Sequence, residues 1–247
     1  MIHPQTVVHP NAKIGKHVRI DAFTTIEEDV VIGDNCWIGS NATIMNGARI
    51  GSHCQIFHGA IISAPPADLK FNGEKTTAEI GDHTIIREYV SIHRGTTEKM
   101  KTVIGEHCLI MAYSHVAHDC IIGKHCVISN STQLAGHVTV GDHVIISGMC
   151  GVNQFVRIGD HAYIGAFTMV RKDVPPFVRA QQPCNLFRCQ RCWIEKKRIY
   201  IRDHQSNHGC IPHPLQQQPQ CYAGIGKTGE PGFRFIDNIG HGFIYQR

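Results

Sequence analysis

The most regular feature of the chain is an aliphatic residue at every sixth position. Counted in steps of six from position 2 to position 170, 26 of 29 positions hold Ile, Leu or Val. An amphipathic helix repeats every 3.6 residues and a half-buried strand every two, so a strict period of six fits neither. The period is typical of a left-handed parallel β-helix, in which each hexapeptide forms one short strand and one turn and three hexapeptides complete a triangular coil.

Such a coil has no core of its own and gains one only by stacking. Neighbouring coils lie roughly 4.8 Å apart, so each inward side chain sits over the one eighteen residues later. Burial of one such side chain contributes about 1.5 to 3 kcal/mol, so a long stack can offset the entropy lost on ordering. The pattern therefore predicts an all-β solenoid domain over residues 1–180, followed by a separate region over residues 181–247.

Two interruptions of the pattern are predicted to be loops that leave the wall of the solenoid. The three positions without an aliphatic residue, Asp68, Glu74 and Glu98, fall in two stretches, at about 64–78 and at 96–102. The sixfold register resumes after each stretch without a shift. Long loops on rigid scaffolds often carry functional residues, so the first loop is a candidate for ligand contact. The second is short and polar and gives a weaker signal.

Composition excludes several classes of protein. No run reaches the ~18 to 20 apolar residues of a membrane helix, and the N-terminal sequence MIHPQ lacks the basic and apolar regions of a signal peptide. The chain has 11 cysteines, but they are scattered, without a secretory context, and are expected to be reduced. These features predict a cytoplasmic protein without membrane insertion.

The tail differs from the repeat in charge and pattern. Residues 184–247 contain 9 Lys or Arg and 4 Asp or Glu, whereas residues 1–183 contain 15 and 16. Cys189 and Cys192 form a C-x-x-C pair, but a zinc site normally requires a second pair of Cys or His at matching spacing. We therefore expect no metal there, and no nucleic-acid partner for the chain.

Polar residues are densest at 112–120, with the sequence A-Y-S-H-V-A-H-D-C. Val116 occupies an inward position of the sixfold register. His115 and His118 are therefore expected to flank it on the outer wall, with Asp119 beside His118.

The next coil is predicted to complete this cluster. Eighteen residues later in the chain, Gly136 is expected beside His118 and His137 beside Asp119. A histidine that is held by a carboxylate and lies near a glycine N–H has the components of a general base with an oxyanion donor.

Most of the other histidines are better explained as turn residues. The chain has 18 histidines, and several follow a charged residue shortly after an inward aliphatic residue and a glycine. Solvated turns are the expected location of His17, His83, His107, His125, His143 and His161.

A series of motifs adds a specific resemblance. The segments D-L-K-F-N-G-E, S-I-H-R-G-T, S-H-V-A-H-D-C, L-A-G-H-V, G-V-N-Q-F and D-V-P-P-F-V occur in this order within residues 1–180. This series resembles the bacterial UDP-N-acetylglucosamine O-acyltransferase family, which carries out the first step of lipid A synthesis. The family transfers a 3-hydroxyacyl chain from acyl carrier protein to the 3-hydroxyl of UDP-N-acetylglucosamine. It is a cytoplasmic homotrimer with catalytic clefts between neighbouring prisms.

The resemblance implies a role for individual residues. His118 would be the general base, Asp119 would orient it, and the Gly136 N–H would stabilise the oxyanion. No cofactor and no metal are implied. The residues implied to bind substrate are Asp68, Lys70, His93, His115, His137 and Gln154, with Arg94 beside His93 in the same motif.

Two positions limit what the resemblance implies. Many relatives have His at the position of Asn153, which removes any role for an ionisable group there. Ala166 matches the residue that measures the length of the acyl chain, and the size of this residue varies among relatives. The length of the acyl chain therefore stays open.

Other functions remain open at the level of sequence. Another hexapeptide acyltransferase or a metal-dependent enzyme like the γ-type carbonic anhydrases would also use histidines on a solenoid. A purely structural solenoid would need none of them. None of these alternatives accounts for the motifs D-L-K, S-H-V-A-H-D and L-A-G-H together.

The tail departs from the family, whose solenoid is followed by a helical domain. Codons for residues 188–200, read one nucleotide downstream, permit the family segment G-V-N-A-V-G-L-K-R-R-G-F, and those for 202–216 permit a segment with the pattern of an amphipathic helix. We therefore predict a frame displacement near residues 181–187, an irregular tail, and weak or absent activity for the chain as it stands.

Overall fold

The computed structural model describes residues 1–181 and three short strands at 188–189, 234–236 and 242–244. The chain divides into two compact units, Met1–Phe187 and Arg188–Arg247. The predicted frame displacement and the predicted irregular tail fall almost wholly outside the described residues.

All regular structure in the described part of the chain is β-strand. Twenty-six strands belong to the first unit and three to the second. The strands are β1 (Val7–Val8), β2 (Lys13–Ile14), β3 (Arg19–Ile20), β4 (Thr25–Ile26), β5 (Val31–Ile32), β6 (Trp37–Ile38), β7 (Thr43–Ile44), β8 (Ala48–Ile50), β9 (Gln55–Ile56), β10 (Ile61–Ala64), β11 (Thr77–Ile80), β12 (Ile85–Ile86), β13 (Ser91–His93), β14 (Lys101–Ile104), β15 (Leu109–Ile110), β16 (His115–Val116), β17 (Ile121–Ile122), β18 (Val127–Ile128), β19 (Gln133–Leu134), β20 (Thr139–Val140), β21 (Ile145–Ile146), β22 (Gly151–Val152), β23 (Arg157–Ile158), β24 (Tyr163–Ile164), β25 (Met169–Val170), β26 (Val178–Ala180), β27 (Arg188–Cys189), β28 (Arg234–Ile236) and β29 (Gly242–Ile244).

The strands of the first unit form three parallel sheets. The first sheet has the order β1-β4-β7-β10-β13-β16-β19-β22-β25, and the second has the order β2-β5-β8-β11-β14-β17-β20-β23. The third runs from β3 through every third strand to β24 and ends with β26. Each strand therefore pairs with the strand one coil away, and the predicted left-handed parallel β-helix is confirmed.

The sixfold aliphatic residues fill the interior. In the third sheet Ile20 pairs with Ile38, and Ile38 with Ile56. After an insertion Ile56 pairs with Ile86, so the column continues without a shift. These side chains are 0–1% exposed. The core is thus a stack of like residues from successive coils.

The three corners of the prism have a repeating backbone. We name them by the sheets that they join: the first corner leads from the first sheet to the second, the second corner from the second to the third, and the third corner from the third to the first. A residue with φ between 54° and 66° occupies most turns, including His17, Phe23 and Asp119. This left-handed conformation costs an ordinary residue about 1–2 kcal/mol, which the stacked core must offset.

Buried thiols form hydrogen bonds between successive coils. The Sγ atom of Cys36 donates to the carbonyl of Gly51 at 3.0 Å, and that of Cys108 donates to the carbonyl of Gly123 at 3.1 Å. In the same way Thr24 bonds a carbonyl fifteen residues later at 3.0 Å. The six cysteines within residues 1–181 are free and buried, so the prediction of reduced cysteines is confirmed for this part of the chain.

Both interruptions of the repeat leave the prism at the first corner. The first loop, residues 65–76, connects β10 to β11, and the second loop, residues 94–100, connects β13 to β14. Beyond them Ile80 pairs with Ile50 and with Ile104, so the wall closes again in register. The prediction that both are ejected loops is confirmed.

The second unit is described only at its strands, of which β28 and β29 form an antiparallel pair. Across the described residues of both units, no helix has the length and apolar character needed to cross a bilayer. The boundary predicted at residue 180 stays a prediction.

Replacement of a stacked isoleucine by a charged residue should unfold the solenoid. Ile128 is 0% exposed and pairs with Ile110 and Ile146. We expect Ile128→Asp to lower the free energy of unfolding by more than about 4 kcal/mol, because an unpaired charge would be buried. Ile128→Val should cost only about 0.5–1.5 kcal/mol. Chemical denaturation measures both, and equal losses would contradict the stacked-core account.

Candidate active site

His118 and Asp119 form the turn between β16 and β17 at the first corner. The imidazole Nδ1 of His118 lies 2.8 Å from Oδ2 of Asp119. The other edge of the ring lies against the next coil: a Cβ placed on Gly136 would lie 2.7 Å from Cε1 and 2.9 Å from Nε2 of His118. Only a glycine therefore leaves the ring where it is, and the ring edge with Nε2 faces the Gly136 backbone.

The carboxylate of Asp119 accepts hydrogen bonds from the second loop as well as from His118. The hydroxyl of Thr96 donates to Oδ2 at 2.7 Å, and the Thr96 N–H donates to Oδ1 at 3.0 Å. The Lys99 N–H adds a longer bond to Oδ1 at 3.3 Å. Burial alone would raise the pKa of this carboxyl, but the hydrogen bonds from Thr96 and His118 outweigh it, and the pKa is lowered below its ordinary value. Asp119 is therefore a carboxylate at neutral pH.

The second loop covers the pair, so the outer-wall position expected for His118 is not a solvent-exposed one. His118 is only 5% exposed and Asp119 is not exposed at all. Thr96 and the amino group of Lys99, which donates to the Asp119 carbonyl at 3.0 Å, hold the loop over this turn. From the sequence this loop was expected to be the less informative of the two. The available signal was Glu98, which breaks the sixfold register.

The backbone N–H of Gly136 has no hydrogen-bond partner among residues 1–181. Its carbonyl accepts a bond from the Phe155 N–H at 3.2 Å, and the next amide, of His137, donates to the His118 carbonyl at 3.0 Å. The Gly136 N–H itself donates to no group within residues 1–181. It is therefore a donor available to a ligand beside the His118 ring.

The ring of His137, on the next coil, contacts the ring of His118. Its ring meets that of His118 edge to face at 5.1 Å and stacks on Phe155 at 4.6 Å. Nε2 lies 3.8 Å from Oδ2 of Asp119, and Nδ1 lies 3.5 Å from a carboxylate oxygen of Glu98. The two histidines thus share one acidic neighbour.

His115 and His93 lie on adjacent strands of the first sheet, β16 and β13, one and two coils before Gln133. The rings of His93 and His115 meet at 4.6 Å, and Nδ1 of His115 lies 2.7 Å from the Ser91 hydroxyl. Burial, together with the neighbouring histidines His115 and His118, lowers the pKa of His93 to about 4. Burial also lowers the pKa of His115. Both rings are therefore neutral at physiological pH.

The first loop contacts the wall of the solenoid at His93 and Arg94. The N–H of Ala67 donates to Nδ1 of His93 at 3.3 Å, which ties the loop to the wall. Arg94 holds the same loop, because its guanidinium lies 5.4 Å from the ring of Phe71. Asp68 is half-buried and accepts the Lys70 N–H at 2.9 Å, while Lys70 is exposed. Lys70 is thus available to a ligand, whereas the guanidinium of Arg94 is already engaged.

Three sequence-predicted residues lie farther along the chain. Asn153 and Gln154 form the exposed first-corner turn one coil beyond Gly136. Ala166 is also exposed, but it follows β24 and so belongs to the third corner. The structure therefore does not bring Ala166 to His118 within one chain.

The same cluster is one that could hold a metal ion. His118, Asp119 and His137 each offer one ligand atom, and these atoms lie within 4.8 Å of one another. However, Asp119 Oδ2 already accepts bonds from Thr96 and His118, and a metal would have to displace them.

Family models match two parts of the chain. The model described as bacterial transferase hexapeptide, with six repeats, matches residues 101–136, and that described as the GMPPB C-terminal domain matches residues 2–66. Both lie in the solenoid.

Whole proteins give a more specific match. Two curated acyl-(acyl-carrier-protein)–UDP-N-acetylglucosamine O-acyltransferases are similar to this chain. The one from Chlorobaculum parvum is 56% identical over 120 residues, which is 49% of this chain and 46% of the relative. The one from Chlamydia caviae is 51% identical over 176 residues, 71% and 63% respectively. The chain thus spans about half to under two thirds of the length of these curated relatives.

A solved structure is matched over most of its length. The UDP-N-acetylglucosamine acyltransferase of Bacteroides fragilis is 40% identical, with a TM-score of 0.78, over 85% of this chain and 87% of that one. By this match in both sequence and fold, the chain belongs to the UDP-N-acetylglucosamine O-acyltransferase family.

Proposed function

We propose that the chain transfers a 3-hydroxyacyl group from acyl carrier protein to the 3-hydroxyl of UDP-N-acetylglucosamine, the first step of lipid A synthesis. One observation carries the proposal: a buried His–Asp pair lies against Gly136 on the next coil, and the N–H of Gly136 has no partner within residues 1–181. Acyl transfer requires a base for the attacking hydroxyl and a donor for the oxyanion, and this corner offers both.

The ionisation of Asp119 sets the tautomer of His118. Because Asp119 is a carboxylate, it can only accept a hydrogen bond, so Nδ1 of His118 carries the proton. Nε2 then has the free lone pair. His118 takes the proton from the sugar 3-hydroxyl as that oxygen attacks the thioester carbonyl, and Asp119 stabilises the imidazolium that forms.

The second half of the reaction returns the proton. Attack converts the thioester carbonyl into a tetrahedral oxyanion, which accepts a hydrogen bond from the Gly136 N–H. One such contact is typically worth about 3 to 4 kcal/mol in the transition state. Collapse of the intermediate breaks the carbon–sulfur bond, and His118 gives its proton to the departing sulfur of the acyl carrier.

Substrate contacts are assigned to the groups that surround this pair. Lys70 and Asp68 on the first loop, with His93 and His115 on the wall, would contact the sugar nucleotide. The two rings are kept neutral by burial, and neutral rings can both accept and donate hydrogen bonds. His137 and Gln154 would complete the contacts from the later coils. The mechanism requires no cofactor.

We propose a homotrimer in which a neighbouring prism completes the cleft. Ala166, the candidate acyl-length residue, lies at a different corner from His118, so it could reach the site only from another subunit. The third corner also has a row of exposed apolar side chains, which is unusual for a monomer. The row contains Phe23, Tyr89, Tyr113, Met149 and Phe167. Sedimentation of a monomer at assay concentration would contradict this proposal.

We also propose a cytoplasmic location. Six free, buried cysteines in the solenoid support it, because such thiols persist where the environment is reducing. A fractionation experiment that finds the protein in an oxidising compartment would contradict it.

A metal-dependent reaction is the second candidate. The convergence of His118, Asp119 and His137 supports it, whereas the hydrogen bonds that already saturate Asp119 Oδ2 oppose it. Stoichiometric zinc in the purified protein, lost in a His137→Ala variant together with activity, would favour the metal enzyme over the acyltransferase.

Removal of the base should abolish most of the turnover. We expect His118→Ala to lower kcat by about 10²- to 10⁴-fold, because no other described group takes the proton from the hydroxyl. The assay supplies UDP-N-acetylglucosamine and 3-hydroxyacyl carrier proteins of several lengths, which also measures the acyl-length preference. His17→Asn, at a distant turn, is the control. A variant that keeps wild-type kcat would remove His118 from the mechanism.

Thr96 should act through Asp119 rather than on substrate. Thr96→Val removes a hydrogen bond that lowers the Asp119 pKa, so that pKa rises. The carboxylate is then protonated at a higher pH, and the acid limb of the kcat/KM profile should move to higher pH. Thr96→Ser keeps the hydroxyl and should restore the wild-type profile. Two superimposable profiles for Thr96→Val and wild type would exclude this positioning role.

We propose that the tail arose by a frame displacement near residues 181–187. The family resemblance implies a helical domain in its place that contributes basic contacts to substrate. The chain as it stands is therefore expected to turn over more slowly than a version with the frame restored. Steady-state rates of the two versions test this, and equal rates would refute it. Coding DNA with the same frame in independent isolates would refute the displacement itself.

A further inference from the structure

The second corner of the solenoid carries a column of stacked imidazoles. Six histidines from successive coils lie face to face, with adjacent ring centroids 4.7–4.9 Å apart and ring planes within 5° of parallel. The ring of Phe177 closes the column at 4.8 Å. This histidine column consists of His53, His83, His107, His125, His143 and His161.

The fold does not require histidine at these turns. Column residues have φ between 54° and 58°, in the left-handed region. At the same corner of the neighbouring coil Asn35 has φ 57°, and asparagine is the residue that, after glycine, adopts this conformation most readily. A tolerant turn residue is therefore needed, but six imidazoles in succession are not.

The column is accessible and lies in an acidic environment. All of its rings but the half-buried last one belong to exposed residues. An acidic residue precedes four of the six histidines, at Asp82, Glu106, Asp142 and Asp160. Only Lys124 of the preceding residues is basic, and it pairs with Glu106 at 2.9 Å. The negative groups along this corner favour a bound cation.

We propose that adjacent histidines of the column chelate a divalent transition-metal ion such as Ni²⁺, Cu²⁺ or Zn²⁺. Imidazole is a preferred ligand for these ions. A metal–nitrogen bond of about 2.0–2.1 Å allows two nitrogens on one ion to lie up to about 4 Å apart. The rings are 4.7–4.9 Å apart, and two exposed rings that leave the parallel stack and tilt toward each other bring their nitrogens onto one ion. Water completes the coordination.

Because the coils stack at a fixed spacing, two adjacent histidines bind one metal ion more tightly than a single imidazole does. Two ligands held side by side act as one chelating unit, which raises the affinity by about 10²-fold or more over a single ligand. The pair exists only when the solenoid is stacked. The ion therefore binds the folded state and raises its thermal stability.

Two triple variants separate adjacency from the number of histidines. The alternating variant, His83→Asn with His125→Asn and His161→Asn, leaves three histidines without a histidine neighbour. The contiguous variant, His53→Asn with His83→Asn and His107→Asn, leaves three that are still stacked. Asparagine preserves the turn, as it does at Asn35. Any metal held elsewhere, including at His118 and His137, contributes equally to both. His17→Asn is the control, because its neighbour one coil on is not a histidine.

Calorimetric titration with Ni²⁺ alone, in buffer without chelators, measures the affinity. The contiguous variant and His17→Asn should keep the wild-type dissociation constant, while the alternating variant should bind about 10²-fold more weakly. Equal affinities in the two triple variants would overturn the proposal. Ni²⁺ should also raise the melting temperature of the unmodified chain, and an unchanged melting temperature would overturn the proposal even if a variant failed to fold.

Discussion

The stacking of eighteen-residue coils determines where every side chain of the solenoid can lie. Each inward isoleucine is buried only because another lies above and below it, and each strand is hydrogen-bonded only to neighbouring coils. A shift of one residue would turn the aliphatic column outward. Side chains that are eighteen residues apart are therefore held at a fixed spacing along every corner and every sheet.

The candidate active site uses this spacing directly. His118 and Gly136 occupy equivalent turns of consecutive coils, so the ring and the unpaired amide are brought together by the wall and not by a flexible loop. The second loop then supplies hydrogen bonds to Asp119 that the wall does not provide. Thr96 hydrogen-bonds Asp119 through its hydroxyl and its amide, which keeps a buried carboxylate ionised. Rigid placement comes from the repeat, and electrostatic tuning comes from the insertion.

Much of this arrangement was predictable, because a period of six has few structural solutions. The solenoid, the two ejected loops and the neighbourhood of His118 and Gly136 follow from counting residues. Contacts that no period specifies were not predictable. Thr96 lies in a segment without register, so its bonds to Asp119 could not be inferred from spacing, nor could the burial of His118 that they cause. The location of Ala166 at another corner also follows from counting, because Ala166 lies 48 residues after His118 and 48 is not a multiple of eighteen.

The histidine column at the second corner was also only partly predictable from the sequence. The sequence identifies its histidines as turn residues, and their exposure and φ values agree. That they also stack into one column follows from the vertical alignment of the coils, which places like residues over one another. Repetition thus creates surface features that a single repeat does not reveal.

Turnover of a Gly136→Ala variant measures whether the His118 ring must stay against the next coil. An alanine Cβ would come within 2.7 Å of the His118 ring, so the ring must move. The backbone, including the amide N–H of residue 136, stays in place. Because a displacement of about 1 Å can cost 10²-fold in rate, kcat should fall by about that factor with little change in melting temperature. Full activity in a folded Gly136→Ala protein would contradict the account.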